Sequence, residues 1–583
     1  MSILASLTRA YDRMGADAPA YGFSTEKIGF LIPLNEDGTP AGPPVDLREG
    51  EGKKKTARAI SVPQPAKRTS GISPNFLWDK TAYALGVTAA EGKRTAEEHA
   101  KFREVHDEAL QASDDAGLHA LLLFLRAWTP DDFERLGWPA DMKDQNVVFA
   151  LECDRRANIR LHDRPAAKAL WTNRTACVGT SKAVCLVTGA RGPTARLHPA
   201  IKGVWGAQSS GASLVSFNLD AFTSYGHEQG DNAPVSEAAA FAYTTALNRF
   251  LEKDSRHRMQ VGDASTVFWA DASAAESAAE AENIFACLLN IDEGSEAKKV
   301  GAILEKVRQG RAPASFLPDL DPDVRFHVLG LAPNAARLSV RFYIEDSFGQ
   351  IATHFSEHMA RLHIEPPPKD ANAPLWRYLI ETASQRKSEN VPPNLAGEFL
   401  RAILTGTPYP RNLLAVLLMR LRADKEVNAL RVSLLKAILI KNHSQAFLEV
   451  PVSLDPQQKD PGYLLGRLFA TYEYAQTQAL GGNVNATIRD QYYGTASATP
   501  RAVFPLLQRK ATHHLARLRK DKPGLAVNLD KSIGEIFELA DADQFFAPAL
   551  SAQRQALFAI GYYHQRNDFY RPKDVAKAAV VES

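Results

Sequence analysis

What this chain has little of narrows its class first. Four cysteines in 583 residues, Cys153, Cys177, Cys185 and Cys287, are too few for a disulfide-stapled secreted framework. None forms a C-x-x-C pair, which disfavours a structural zinc ribbon. Long apolar runs are missing too: Leu413-Leu414-Ala415-Val416-Leu417-Leu418-Met419 stops at Arg420 and Arg422, well short of the roughly 18–20 residues of a membrane span. Met1 to Tyr11 carries no signal-peptide cleavage region, and Arg9, Asp12 and Arg13 interrupt its apolar character. A reduced, cytoplasmic protein is expected. Net charge is also small: 69 basic against 67 acidic residues leave +2, so nucleic-acid binding has to be sought in local clusters.

What is present is ordinary globular composition. A hydrophobic share of 45% excludes wholesale disorder, and the length implies roughly two to four domains. Gly29 to Leu34 reads as an apolar strand entering an Asp37-Gly38 turn. Glu91 to Arg135 is helical, with an apolar stripe through Leu110, Leu118, Leu121, Leu122 and Leu125. Ala183 to Val187, Ser213 to Phe217, Arg325 to Leu329 and Leu338 to Tyr343 read as strands, and Ser236 to Glu252 and Glu276 to Arg308 as helices. Irregular alternation of this kind predicts an α+β N-terminal region rather than a doubly wound sheet, followed by an all-α C-terminal helical bundle region. The proline-rich breaks at Glu365-Pro366-Pro367-Pro368, at 388–393 and at Val450 to Pro461 suggest regions 1–390, 391–450 and 451–583.

Three short motifs invite chemistry. His354-Phe355-Ser356-Glu357-His358 has H-x-x-E-H spacing, which puts two imidazoles on one helical face with Glu357 as general base. His363 or Glu381 is the nearest third ligand, and a zinc-dependent hydrolase is therefore the alternative function. An ordinary amphipathic helix explains the same five residues. Gly206 to Ser213 has P-loop glycine spacing with Ala212 where the lysine belongs, so nucleotide hydrolysis is disfavoured. Gln208, Ser209 and Ser210 remain on a loop able to approach a phosphodiester, or a tight turn into the following strand. Asp319 to Asp323 opens like a calcium loop but lacks the turn glycine and the bidentate glutamate, which makes it a turn.

Basic clusters are the remaining signal. Between Arg501 and Lys522 seven bases face one acid, Asp521. Arg509, His513, Arg517 and Lys520 recur at helical spacing, with Lys510 beside them and Leu507, Leu515 and Leu518 opposite. Between Arg401 and Val450 eight bases outnumber three acids. Such runs are solvated faces or polyanion-facing surfaces.

Several longer stretches carry a resemblance. Tyr21 to Phe30, Lys67 to Lys80, Val215 to Asn218 with Ser224-Tyr225-Gly226, Asn232 to Ser236, Leu329 to Arg337, Tyr463 to Phe469 and Asn485 to Asp490 resemble the large subunit of type I-C CRISPR Cascade, the Dvulg-subtype family. The resemblance implies a non-enzymatic subunit that recognises a short protospacer-adjacent motif in duplex DNA. It implies help in R-loop formation and in recruiting a helicase-nuclease, while base pairing supplies sequence specificity. Implied partners are the guide RNA complex, target DNA, a repeated backbone subunit, a guide-processing subunit and separate small-subunit copies. No cofactor, metal or catalytic residue is implied. Candidate DNA contacts are Lys67, Arg68, Ser70, Gly71, Asn75 and Lys80, then Gln208, Ser209 and Ser210, then Arg509, Lys510, Arg517 and Lys520. Asn75 offers an amide to base edges, or serves a Pro-Asn turn. Family members also resemble a large subunit fused to a small one that is separately translated. Met419 or a non-AUG start at Val450 or Val452 would be needed here.

Overall fold

The unbroken apolar run Phe30-Leu31-Ile32-Pro33-Leu34 demands cover on both faces, and the computed structural model provides it. The structure describes residues 2–15, 18–50, 55–66, 71–90, 94–176, 182–271, 275–289, 323–369, 373, 375–446, 450–481, 486–541 and 543–571. The chain divides into two compact units, Met1–Lys202 with Ser209–Arg249, and Gly203–Gln208 with Phe250–Ser583.

In the first unit, α1 (Ile3–Met14) precedes β1 (Phe23–Ile28), β2 (Phe30–Leu34), β3 (Val45–Asp46), β4 (Arg58–Pro63) and β5 (Trp78–Lys80). β6 (Asn146–Leu151) pairs parallel to β2, and the four-stranded order is β3-β2-β6-β5. Strand alternation then sorts β2 between two clusters. Phe30, Ile32 and Leu34 meet Phe102, Leu121 and Phe149, whereas Leu31 joins Ile28, Ile60, Trp78 and Val148. The first cluster is closed by α2 (Thr81–Ala84), α3 (Thr95–Leu110), α4 (Ala116–Ala127) and α5 (Asp132–Arg135). Asp115 caps α4 by accepting from the Leu118 amide at 3.0 Å. Gly38 takes φ +82°, and a Cβ there would lie 2.5 Å from Leu123 Cβ, so the predicted Asp-Gly turn is both left-handed and crowded. Beyond β6 come α6 (Glu152–Arg156), α7 (Pro165–Ala176), the short β7 (Lys182–Val184) and β8 (Arg191–Pro193) pair, and α8 (Glu237–Phe250).

The second unit opens on β9 (Arg258–Val261), β10 (Ala264–Asp271), β11 (Arg325–Asn334) and β12 (Arg337–Ser347), an antiparallel sheet in the order β12-β11-β10-β9. Helix α9 (Ala275–Leu288) follows β10. Beyond β12 the described chain is helical: α10 (Phe348–Leu362), α11 (Leu375–Ile380), α12 (Pro393–Leu404), α13 (Arg411–Asp424), α14 (Ala429–Asn442), α15 (Pro461–Leu480), α16 (Ile488–Ala498), α17 (Pro500–Asp521), α18 (Pro523–Glu538) and α19 (Ala552–Phe569). One core cluster runs from Phe326 on the sheet through Leu395, Leu417 and Leu435 to Leu464 and Phe558, passing positions 390 and 450 without a break. Helices α15 and α19 touch backbone to backbone, because Gly462, Gly466 and Gly561 leave no side chain between them: a Cβ on Gly466 would sit 2.1 Å from Phe558 O.

Two expectations change. Ser213–Phe217 forms no strand; Ser213 is a single bridge residue beside the Ile201↔Ala212 bridge, and the extended pairing stops there. The apolar residues are suited to a sheet, but among the described residues Leu214 to Phe217 join no strand ladder. The Ala183–Val187 strand ends at Val184, because the Cys185 amide turns to bond Ala190 O at 2.9 Å and closes the hairpin. Helix α9 ends at Leu288, and the remainder of the expected 276–308 helix lies outside the described residues, as do 319–322 of the Asp319–Asp323 turn.

Candidate nucleic-acid interface

Lys67, Arg68 and Ser70 lie outside the described residues, and the residues on either side of them are held by hydrogen bonds. On the entering side the Ala66 amide donates to Asn75 Oδ1 at 3.1 Å. On the leaving side the Asn75 amide donates to Asp79 Oδ2 at 2.8 Å, and the Lys80 amide to Asp79 Oδ1 at 2.8 Å. Asp79 is fully buried, so its carboxylate organises the turn from inside. Leu77 adopts φ +62°, and its amide donates to His106 Nε2 at 2.8 Å. Trp78 Nε1 donates to Pro63 O at 2.8 Å. Phe76 stacks on Trp171 at 5.4 Å between centroids, with the Arg174 guanidinium 5.4 Å from its ring.

Of the candidates in this loop, Gly71 and Lys80 are exposed. Gly71 takes φ +90° with open space where a Cβ would stand. Asn75 is only 5% exposed, and its amide oxygen serves the chain itself. The turn chemistry of Pro74-Asn75 therefore describes its local role: it ties Ala66 to the start of β5.

Gln208, Ser209 and Ser210 are all exposed, between Gly206 at φ +77° and Gly211 at φ +91°. A Cβ on Gly211 would lie 2.8 Å from Ile201 O, so this glycine is needed to pass the neighbouring backbone. Beside the loop, Trp205 is 68% exposed, although its amide is anchored to Ser265 Oγ at 2.8 Å.

Helix α17 sorts its side chains as its spacing predicts. Leu507, Leu515 and Leu518 are buried, and Arg509, His513, Arg517 and Lys520 are exposed. Lys510 turns aside, with Nζ 5.1 Å from the Tyr492 ring. Arg519 is held by Asp530 of α18 at 2.7 Å, and Arg517 lies 3.7 Å from Asp521. Both pairs are solvent-exposed and weak in water. The surface is electropositive: the His514 pKa is held below its ordinary value by burial first, then by His513, Lys510 and Arg517.

Three bases of the second block, Arg431, Lys436 and Lys441, turn inward. Arg431 is fully buried, 2.9 Å from Glu381 and 2.5 Å from Asp424. Lys436 is buried and donates to Arg361 O at 3.2 Å, and Lys441 donates to Ala402 O at 2.8 Å. Desolvation lowers both ammonium pKa values to about 8. These bases hold α10–α14 together. Arg401, Arg411, Arg422 and Lys425 of the same block are exposed.

The H-x-x-E-H residues also serve the fold. His354 Nδ1 is 3.0 Å from Leu404 O, and His358 Nδ1 is 2.6 Å from Tyr409 Oη. Glu357 pairs with Arg361 at 2.8 Å, while Glu381 belongs to the Arg431 pair. His358 is buried, with its pKa pushed down to about 3 by desolvation, then by the charges of Lys441 and Arg361. Among the described residues no group of three or more His, Cys, Asp or Glu side chains is arranged to hold a metal ion. No described helix is long and apolar enough to cross a membrane.

Comparison with curated proteins gives no match. Residues 7–570 match the family model of CRISPR-associated protein (Cas_Csd1), and with nearly its whole length matched the chain belongs to that family.

Proposed function

We propose that this protein is the DNA-recognising large subunit of a type I-C CRISPR surveillance complex and performs no catalysis itself. The observation that carries the reading is the family match over residues 7–570. Three surfaces support it. Gly71 and Lys80 are exposed, and in the sequence Lys67, Arg68 and Ser70 fall between Ala66 and Asn75, which are hydrogen-bonded to each other. The Gln208–Ser210 turn is exposed between two left-handed glycines. Helix α17 presents Arg509, Arg517 and Lys520 on one face.

The division of labour follows from these chemistries. Lys67, Arg68 and Lys80 hold phosphates of the duplex next to the adjacent motif, and Ser70 and Gly71 permit close backbone approach. Gln208 probes or wedges a base pair, with Ser209 and Ser210 on the backbone. The α17 face tracks a separated strand electrostatically once the duplex has opened. Guide RNA pairing supplies the sequence specificity, and a helicase-nuclease degrades the marked target. The partners are the guide RNA, a repeated backbone subunit, a guide-processing subunit and separate small-subunit copies.

A tagged pull-down from native cells, with sequencing of the RNA and identification of the proteins, tests this assembly. Short repeat-spacer RNAs with a repeated backbone subunit are expected. The recovered complex should then select a short adjacent motif from a randomised duplex library. A chain that arrives without RNA, or a complex that selects no motif, would overturn the proposal.

A further inference from the structure

Beside the base of the 66–75 loop lies a cleft of about 340 Å³ that none of the candidate contacts above occupies. That volume is at the lower end of small-molecule sites and takes one planar ring with its sugar. The walls come from separated stretches of the first unit: Tyr21, Gln64 to Ala66, Trp171, Arg196, Leu197, Glu237 and Phe241.

The wall chemistry is specific. Tyr21 stands edge-on to Phe241, with centroids 5.5 Å apart. Trp171 is fixed by its Nε1 donating to Gly22 O at 2.6 Å, and Gly22 has to be glycine because a Cβ would lie 2.9 Å from that same nitrogen. Glu237 brings a carboxylate among these rings, accepting from the Tyr21 hydroxyl at 3.3 Å. Burial, then Glu237, pushes the Tyr21 pKa up to about 12, so this hydroxyl stays a donor. Arg196 is exposed at the rim, where its Nε donates to Gln229 Oε1 at 2.8 Å. Leu197 is 46% exposed, an apolar side chain standing in water beside the opening.

We infer that this cleft accepts a single unstacked nucleobase, with the ring against Tyr21 and Trp171, its amino edge on Glu237 and its phosphate toward Arg196. A purely apolar guest would cover the Glu237 carboxylate with only the long Tyr21 hydroxyl bond to satisfy it, which is costly. An exocyclic amine supplies that donor, and an aromatic face suits any base. Ala66 lines the cleft, and Lys67, a proposed phosphate contact, follows it directly in the sequence. The DNA origin of that base rests on the function proposed above. The recognition chemistry of the cleft does not.

Saturation-transfer NMR of the full chain with dCMP, dAMP and dTMP tests the cleft without any polymer. Base protons of dCMP and dAMP should saturate more strongly than those of dTMP. Glu237→Gln should weaken dCMP about tenfold, and Leu197→Trp, which fills the opening from an exposed position, should abolish the transfer. Unchanged melting temperatures would show that both variants are folded. No transfer to the wild-type chain, or equal transfer to Leu197→Trp, would overturn the inference. A second arm compares short single strands with the same strands carrying one abasic site, with Lys67→Ala/Arg68→Ala as control. Mononucleotide binding without any DNA binding would sink the proposed function and keep the cleft. DNA binding indifferent to the abasic site, with no mononucleotide signal, would do the reverse.

Discussion

The side-chain oxygen of Asn75 accepts a hydrogen bond from the Ala66 amide at 3.1 Å, a tie that spans nine positions of the sequence. Asn75 is buried, so deleting its amide leaves the Ala66 N–H without that partner in a dry setting. Asn75→Ala should destabilise the first unit by about 1–3 kcal/mol. It should also raise hydrogen exchange at Ala66 specifically. Asn75→Asp keeps an acceptor and should restore protection there. Equal exchange at Ala66 in wild type and Asn75→Ala would remove the latch.

The α17 face makes a different kind of prediction, because its bases are exposed and lie opposite a packed stripe of Leu507, Leu515 and Leu518. Arg509→Glu with Arg517→Glu should leave the melting temperature nearly unchanged while weakening single-strand binding. Each lost phosphate contact takes about 0.7 from the slope of log affinity against log salt, so the pair should flatten it by about 1.4. Preference for the adjacent motif should not change. An unchanged slope would take this helix off the DNA path.

The crossing of α15 and α19 is set by glycine. Helix propensity alone favours alanine at an interior position by about 1 kcal/mol. At Gly466 that preference meets a wall, since the new Cβ would lie 2.1 Å from Phe558 O and 2.7 Å from Tyr562 N, both backbone atoms. Overpacking of about 1–3 kcal/mol or more wins, so Gly466→Ala should lower the unfolding midpoint of the second unit. Gly534→Ala on α18, where the added Cβ meets nothing within 4 Å, should raise it slightly. Two alanines with the same sign would contradict the close crossing.

How far such features were legible in the sequence depends on the range of the interaction. The α17 face was readable because both its stripes lie on one helix, and the β11–β12 pair because each strand is a short local run rich in β-forming residues. Ser213–Phe217 misled, since strand-forming residues still require a partner strand that only the tertiary fold provides. Arg431, Lys436 and Lys441 were counted with the exposed bases around them because their acceptors, Glu381, Arg361 O and Ala402 O, lie outside the counted stretch or belong to the backbone. Asn75 was singled out for its amide, yet whether that amide faces solvent or the chain depends on Ala66, nine residues away. The cleft was invisible for a related reason: Tyr21, Trp171 and Glu237 are far apart in the chain and carry no shared motif.

Acid should loosen the turn at Leu77 through His106. Its Nδ1 lies 2.8 Å from Phe102 O and its Nε2 accepts the Leu77 amide at 2.8 Å, an arrangement that needs the neutral Nδ1–H tautomer. Protonation would put a proton on Nε2 and break the bond to Leu77. Burial lowers the pKa from 6.5 to about 4, with Arg174 adding in the same direction. Because the folded value lies below the unfolded one, the unfolded chain binds the extra proton first as the pH falls. The stabilisation is therefore complete above pH 6.5 and is lost progressively down to about pH 4. The loss is about 1.4 kcal/mol per pH unit over that window. Hydrogen exchange at the Leu77 amide, followed from pH 7 to pH 5 and corrected for intrinsic rates, should show falling protection. His106→Gln places no imidazole there and should flatten the dependence while reducing protection at every pH. A wild-type amide whose protection is level across the range would mean that His106 does not hold it.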